Sequence, residues 1–389
     1  MSAFMLNRWL TRAEPIGCHI CGGHVRLAQA QGLSASGGPR IVVAEQSLPG
    51  GADGDGAAYD AAVAGLVREM LGSGGFRGRR VVSCAPPGAA RYVTMRLAPM
   101  PPAELANAAH WKLASDLGTG TGAFRSAVLN VVEVRDGGKQ KTEALVVSAT
   151  LEQLERHAAI FAAAGLEHVA IDDPACAAAR YTGLVGETGA PAAANGDRRV
   201  VLELREEEAI LTVVSGADLA FVRPVGPGLS QLDKTLADLL EVTPAEALAL
   251  HARALDAVRT GGGGGDDEAA RPANWAFAVP FARAREAIAD ASRMYGRELA
   301  RQVALAMYYY STTAAPAAAP EAGVVVGDRS VDAAVLEPVT VQSGLDLSTF
   351  DPGANAAWAA LAGRDASTWA TAVGLSLYEH ELPRAKEVA

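Results

Sequence analysis

From Ile16 to Ala30 apolar and polar positions alternate with period two, interrupted by Gly22-Gly23, and this pattern predicts a β-hairpin. "RIVVAEQSL" adds a third strand, after which "GAAYDAAVAGLVREMLGSGG" changes to helical spacing and stops at glycine. Strands "RRVVSCAPPG" and "RYVTMRLAPM" precede the helix "PAELANAAHWKLASDL", and "SAVLNVVEVR" pairs with "KTEALVVSAT" around Asp136-Gly137-Gly138-Lys139. The helix "LEQLERHAAIFAAAGL" and the strand "EHVAID" lead to "DPACAAARYTGL", a helix with Asp173 as N-cap and Pro174 in its first turn. Beyond a soft segment, Val185 to Asp197, the order begins again with strands "RRVVLEL", "EAILTVVS" and "DLAFVRPV". Helices "GLSQLDKTLADLLEV" and "TPAEALALHARALDAV" follow, the second opened by Thr243, Pro244 and Glu246 as a capping box. A flexible "TGGGGGDDEAARPAN", a long helix over about residues 281–310, short strands near "GVVVG" and "VTVQ", and a closing helix "ASTWATAVGLSLYEHE" complete the reading.

A hairpin-led α/β unit, a joint and a second hairpin-led α/β unit predict an α/β fold of two lobes facing a cleft. At 389 residues the chain exceeds one small core, and its composition, half hydrophobic but only 5% aromatic, fits an Ala/Gly/Val-rich globular protein. A formal net charge of −10 argues against a nucleic-acid partner, which needs a basic face. No run of apolar residues is long enough to span a membrane. The opening "MSAFMLNRWL" reads as a short docked helix rather than a bilayer contact, and nothing there resembles a secretory signal. The chain is therefore expected in the cytoplasm, with reduced cysteines.

Candidate chemistry is sparse. Cys18, Cys21 and His24 have the spacing of half a zinc site, but Cys84 and Cys176 stand alone, so no metal is expected. Haem attachment fails because Gly22 follows the second cysteine. Asp172 and Asp173 point apart on a strand end, and no serine or cysteine has a histidine and an acid at recognisable spacing, so no catalytic residue is expected. His110, His157 and His168 read as surface residues, and Trp111 as core beneath its helix.

The run from Val81 to Arg180 resembles the middle of the PilM family, cytoplasmic actin-like proteins of type IV pilus assembly platforms. The resemblance rests on "VVSCAPPG", "YVTMRLAPMPPAEL", "ANAAHWKLASDL" and "EALVVSATLEQLERHAAIFAAAGLEHVAIDDPACAAAR", and extends to "FVRPVGPGLSQLDKTLADLLEVTPAEALAL" and "GRELARQVALAMYYY". It implies an actin-like fold of two RNase H-like halves with an inserted α+β subdomain of the PilM and FtsA kind. The implied domains are residues 14–80 and 171–185 for the first lobe and 81–170 for the insert. Residues 198–378 form the second lobe, with a helical subdomain at about 228–300.

Such proteins bind Mg²⁺-ATP, and here each nucleotide motif departs from the family pattern. His19 stands where the first hairpin normally has the Mg²⁺-holding aspartate, and imidazole replaces oxygen poorly for so hard an ion. Cys21, just before Gly22 and Gly23, replaces a glycine that lets backbone approach phosphate. In the second loop Glu203 could keep a carboxylate role, but Arg205 replaces glycine and Glu206, Glu207 and Glu208 follow. Two like charges about 4 Å apart repel by about 4 kcal/mol at an effective dielectric of about 20. A micromolar site totals only about 8 kcal/mol, so the glutamates oppose nucleotide unless they form a solvated hairpin tip. Glu246 could meet the ribose but is also the capping partner of Thr243, and only Gly327 survives from the late glycine-rich loop.

The resemblance implies a cytoplasmic scaffold, peripheral at the inner membrane and touching the membrane only indirectly, with a degenerate nucleotide cleft and no cofactor. The implied partners are the tail of a PilN-like single-pass membrane protein and other proteins of the pilus or secretion platform. Candidate groove residues are Met95, Leu97 and Met100, which strand packing explains equally well. The alternatives are a working ATP-binding, Mg²⁺-dependent ATPase and an FtsA-like division protein; the tail "YEHELPRAKEVA", with Pro383, does not suit the membrane helix of the latter.

Overall fold

The computed structural model describes residues 13–387 except 22, 34–39, 49–55, 87, 137, 188–197, 216–217, 260–276, 315–319, 350–355, 362–363 and 380–385. The expected N-terminal helix, the glycine-rich loop and all of the soft joint beyond residue 187 lie outside the described residues; residues 185–187 continue the helix that begins at Pro174.

The first lobe is built on the sheet order β3-β2-β1-β4-β8. Here β1 (Ile16–Cys21), β2 (His24–Gln31) and β3 (Arg40–Ser47) form an antiparallel meander, and β4 (Arg80–Cys84) and β8 (Glu167–Asp172) add in parallel beside β1. The second lobe repeats that topology as β11-β10-β9-β12-β13. Its strands β9 (Arg198–Leu204), β10 (Glu208–Ser215) and β11 (Asp218–Pro227) form the meander, with β12 (Ala322–Gly327) and β13 (Asp346–Thr349) parallel. Two meander-plus-parallel sheets are the two RNase H-like halves that the sequence order implied.

Every residue of β1 is buried because the strand is covered on both faces. Ile16, Cys18 and Ile20 enter one core with Val63, Val67 and Met70 of α1 (Ala57–Ser73) and Phe161 of α3 (Leu151–Ala163). Gly17 lies on the alternate face, where a Cβ would fall 1.9 Å from the Ala372 carbonyl of α9 (Ala370–Ser376). Gly374 of α9 lies as close to Ala177 of α4 (Pro174–Glu187). The closing helix therefore belongs to the first lobe.

The inserted unit is narrower than residues 81–170, because β4, α3 and β8 pack within the first lobe. It comprises β5 (Arg91–Leu97), α2 (Pro102–Leu117), β6 (Phe124–Asp136) and β7 (Lys139–Thr150), with β14 (Lys386–Glu387) at the edge of its sheet beside β6. In the second lobe, α5 (Leu229–Leu240), α6 (Pro244–Arg259) and the first half of α7 (Phe281–Tyr309) form the helical subdomain around Leu236, Leu250, Phe281 and Ile288. "VTVQ" belongs to α8 (Ala333–Ser343), not to a strand. Asp332 caps that helix by accepting from the Val335 amide, and Val335 and Val339, one helical turn apart, enter the second-lobe core.

Candidate functional site

The cleft between the lobes opens into a cavity of about 660 Å³ lined from all three units, by residues including His19, Cys21, Tyr92, Asp173, Arg205 and Asp328. The side chains at its base are bound mostly to one another.

His19 and Cys21 lie two residues apart on β1 and so face the same side. The His19 ring approaches Cys21 Sγ with Nδ1 at 3.3 Å and Asp328 Oδ1 with Nε2 at 3.4 Å. Arg26, opposite His19 in the hairpin, donates to Cys21 Sγ at 3.3 Å, to the Asp328 carbonyl at 2.7 Å and to Glu45 at 2.7 Å. Burial holds the His19 pKa down to about 4, so the ring is neutral, and burial together with nearby Asp328 pushes the Cys21 thiol well up.

The second loop carries its own network. Arg205 donates to Glu203 at 2.8 Å and to the Tyr92 hydroxyl, and lies 3.7 Å from Asp173. Tyr92 in turn donates to Asp173 at 2.6 Å. Desolvation raises the Glu203 pKa while Arg205 lowers it. Glu206 is not on a free solvated tip, because Arg329 lies 3.0 Å from it and also donates to Asp233 at 2.9 Å. Burial nevertheless outweighs that cation and pushes the Glu206 carboxyl up to about 7.

The remaining residues named from sequence are dispersed. Gly22 is outside the described residues, while Gly23 sits in the hairpin turn with a positive φ of 76°. A Cβ on Gly327 would meet the Leu204 carbonyl at 2.4 Å, so this glycine serves strand packing. Glu246 is exposed and forms the capping box with Thr243, accepting from its amide at 2.9 Å and its hydroxyl at 2.8 Å. Met95 and Leu97 are buried in the insert's own core under α2, with Met100 half-buried at its edge, so they present no open groove. Trp111 is the converse case: it is 67% exposed on α2 rather than core. His157 is buried, not on the surface, and both it and His168 lie 2.9 Å from Ser83 Oγ.

The donors present do not fit Mg²⁺-ATP. The position resembling the Mg²⁺-holding aspartate bears an imidazole engaged through both nitrogens, and the second loop bears a guanidinium whose partners are protein carboxylates. Sequence reasoning missed Arg26, Tyr92, Asp233 and Arg329, since their partners come from distant parts of the chain. Only Arg26, a long polar side chain inside the otherwise buried strand β2, carried a local hint.

No family model matches the chain, and no curated protein matches it. Among solved structures it is similar to a PilM-PilN type IV pilus biogenesis complex, with 20% identity and a TM-score of 0.64 over 94% of this chain and 98% of that one. It is also similar to the ethanolamine utilization protein EutJ from Carboxydothermus hydrogenoformans, with 15% identity and a TM-score of 0.51 over 94% of this chain and 90% of that one. The chain thus has a PilM-like, actin-like fold.

Proposed function

We propose that this chain is a scaffold of a type IV pilus or related type II secretion assembly platform, peripheral at the inner membrane, and that it holds the cytoplasmic tail of a PilN-like membrane protein. The observation that carries the reading is the cavity where the insert faces the first lobe, whose apolar wall includes Ile20, Leu48, Tyr59, Val147 and Leu154. A peptide bound there would seat apolar anchors while the strand edges and Ser126 and Ser148 supply polar contacts. The overall likeness to a chain solved as a PilM-PilN complex supports the choice of occupant. Among the described residues no helix is long and apolar enough to cross a membrane, which leaves anchoring to the partner.

The same reading makes the cleft an inactive remnant. Filling the phosphate region with paired arginines and carboxylates removes the charge that a nucleotide would need, and breaking such buried pairs costs several kcal/mol. The test is fluorescence anisotropy with a labelled peptide copying the cytoplasmic N-terminal tail of a PilN-like membrane protein. Binding that weakens at least tenfold in Val147→Asp and Leu154→Asp, and is unchanged in Trp111→Ala, supports the assignment; absent binding, or binding indifferent to both aspartates, overturns it.

A further inference from the structure

We propose that His19, Cys21 and Asp328 form a binding site for one borderline divalent transition-metal ion, zinc above all, that bridges the two lobes. One ligand atom from each residue lies within 4.8 Å of the others, and the three residues are 6%, 4% and 7% exposed. Zinc bonds of about 2.0–2.3 Å in a tetrahedron set donor atoms roughly 3.3–3.8 Å apart. The His19 Nε2 to Asp328 Oδ1 separation, 3.4 Å, already has that value, whereas Cys21 Sγ contacts Nδ1 of the same ring at 3.3 Å and has to rotate about its χ1 to join them.

The donor chemistry selects the ion. One thiolate, one neutral imidazole and one carboxylate suit zinc or cobalt and disfavour Mg²⁺ or Ca²⁺. On binding, the Cys21 thiol releases its proton to solvent and the sulfur bonds the ion, so the ligand set carries two negative charges against the ion's two positive ones. Arg26 already donates to that sulfur, an outer partner of the kind that steadies a metal thiolate, and Glu45 balances its charge. The three protein ligands line the cavity, which gives the ion an entry path and leaves a fourth position for water.

The ligands also define a mechanical role. His19 and Cys21 are on β1 of the first lobe and Asp328 follows β12 of the second, so the ion fastens the lobes together at the bottom of the cleft. This site is independent of the proposed tail-binding wall, whose Val147 and Leu154 are not ligands.

The full chain, stripped of metal by a chelator in a non-coordinating reductant, is titrated with ZnCl₂ against a chromophoric competitor and separately with CoCl₂. The expected result is one ion per chain, a cobalt spectrum with a thiolate-to-metal charge-transfer band, and a zinc-dependent rise in Tm that MgCl₂ does not give. Cys21→Ser should abolish the band, and Cys21→Ser and Asp328→Asn should each weaken zinc binding at least tenfold, while Cys18→Ser, on the opposite face of β1, retains both signals. Circular dichroism without metal verifies that each variant folds; if one does not, the wild-type cobalt spectrum and the Cys18→Ser control decide. Sub-stoichiometric binding to wild type, a cobalt spectrum lacking the thiolate band, or a spectrum unchanged in folded Cys21→Ser overturns the site.

Discussion

At the scale of single residues, burial decides more than charge. Arg205 is the shared cation of Glu203, Asp173 and the Tyr92 hydroxyl, so Arg205→Ala leaves the buried Glu203 without its cation and Asp173 with only the Tyr92 hydroxyl and the Ala175 amide. Loss of about 3–5 kcal/mol is expected from urea unfolding, with part regained when Glu203→Gln is added, since neutralising the orphaned acid removes the penalty. A loss below about 1 kcal/mol would show that the network is solvated. Histidines supply the second residue-scale prediction. Burial holds His157 down to about 4 and His251 to about 3, against an ordinary value of 6.5. The unfolded chain therefore takes up protons below pH 6.5 that the fold refuses, and this stability, fully present above pH 6.5, is lost as pH falls toward 4. By pH 5 the loss should reach about 2 kcal/mol for each of these two rings. Because the raised Glu206 carboxyl shifts stability the other way over the same range, the readout is the pH 7 to pH 5 change in urea midpoint of the wild type against that of His157→Gln and His251→Gln, and an identical change in all three would refute it. His19, Glu203 and Arg205 were legible in the sequence because each breaks a local motif. Arg26 and Arg329 were not, because their contacts to Asp328 and Asp233 span 302 and 96 residues and leave no periodic trace.

At the scale of elements, two glycines with the same local sequence signal have opposite roles. In α9, Gly374 brings the helix so close to α4 that a Cβ would sit 1.8 Å from the Ala177 carbonyl. Gly65 lies within α1, where a Cβ would have no neighbouring atom within 4 Å. Gly374→Ala should destabilise by about 3 kcal/mol or more through overpacking, whereas Gly65→Ala should stabilise by about 1 kcal/mol through helix propensity. Opposite shifts in thermal unfolding are the readout, and the same sign for both would contradict the close approach. Hairpins, caps and the main helices were legible because each carries a short-range signal, such as Gly-Gly before Val25 or Thr243 with Glu246. The strand reading of "VTVQ" failed because β-branched residues favour strands locally, while the Asp332 cap and the burial of Val335 and Val339 favour α8.

At the scale of the whole molecule, the lobes and insert share cores and do not merely touch. One cluster joins Ala28, Ala30 and Ile41 of the first lobe to Val201, Val214 and Val326 of the second, roofed by Trp358 and Trp369. Another joins Leu129 and Leu145 of the insert to Ala175 and Cys176 of α4 and to Ile210 and Val222 of the second lobe. Val132 and Val134 of β6 also enter the second-lobe core, so removing any unit would expose apolar surface on the others. The chain should therefore unfold in one transition, with tryptophan fluorescence and far-UV circular dichroism superimposable against urea, because melting one unit strips the shared clusters from its neighbours. And since cleft movement would have to shear these clusters and separate Arg205 from Tyr92 and Asp173, Mg²⁺-ATP should neither shift Tm nor evolve heat in calorimetric titration. Adding His19→Asp and Arg205→Gly together restores an oxygen ligand and removes the guanidinium. Micromolar Mg²⁺-ATP binding by the unaltered chain would defeat the remnant reading, whereas binding gained only in the double variant would place the loss of nucleotide in these two side chains.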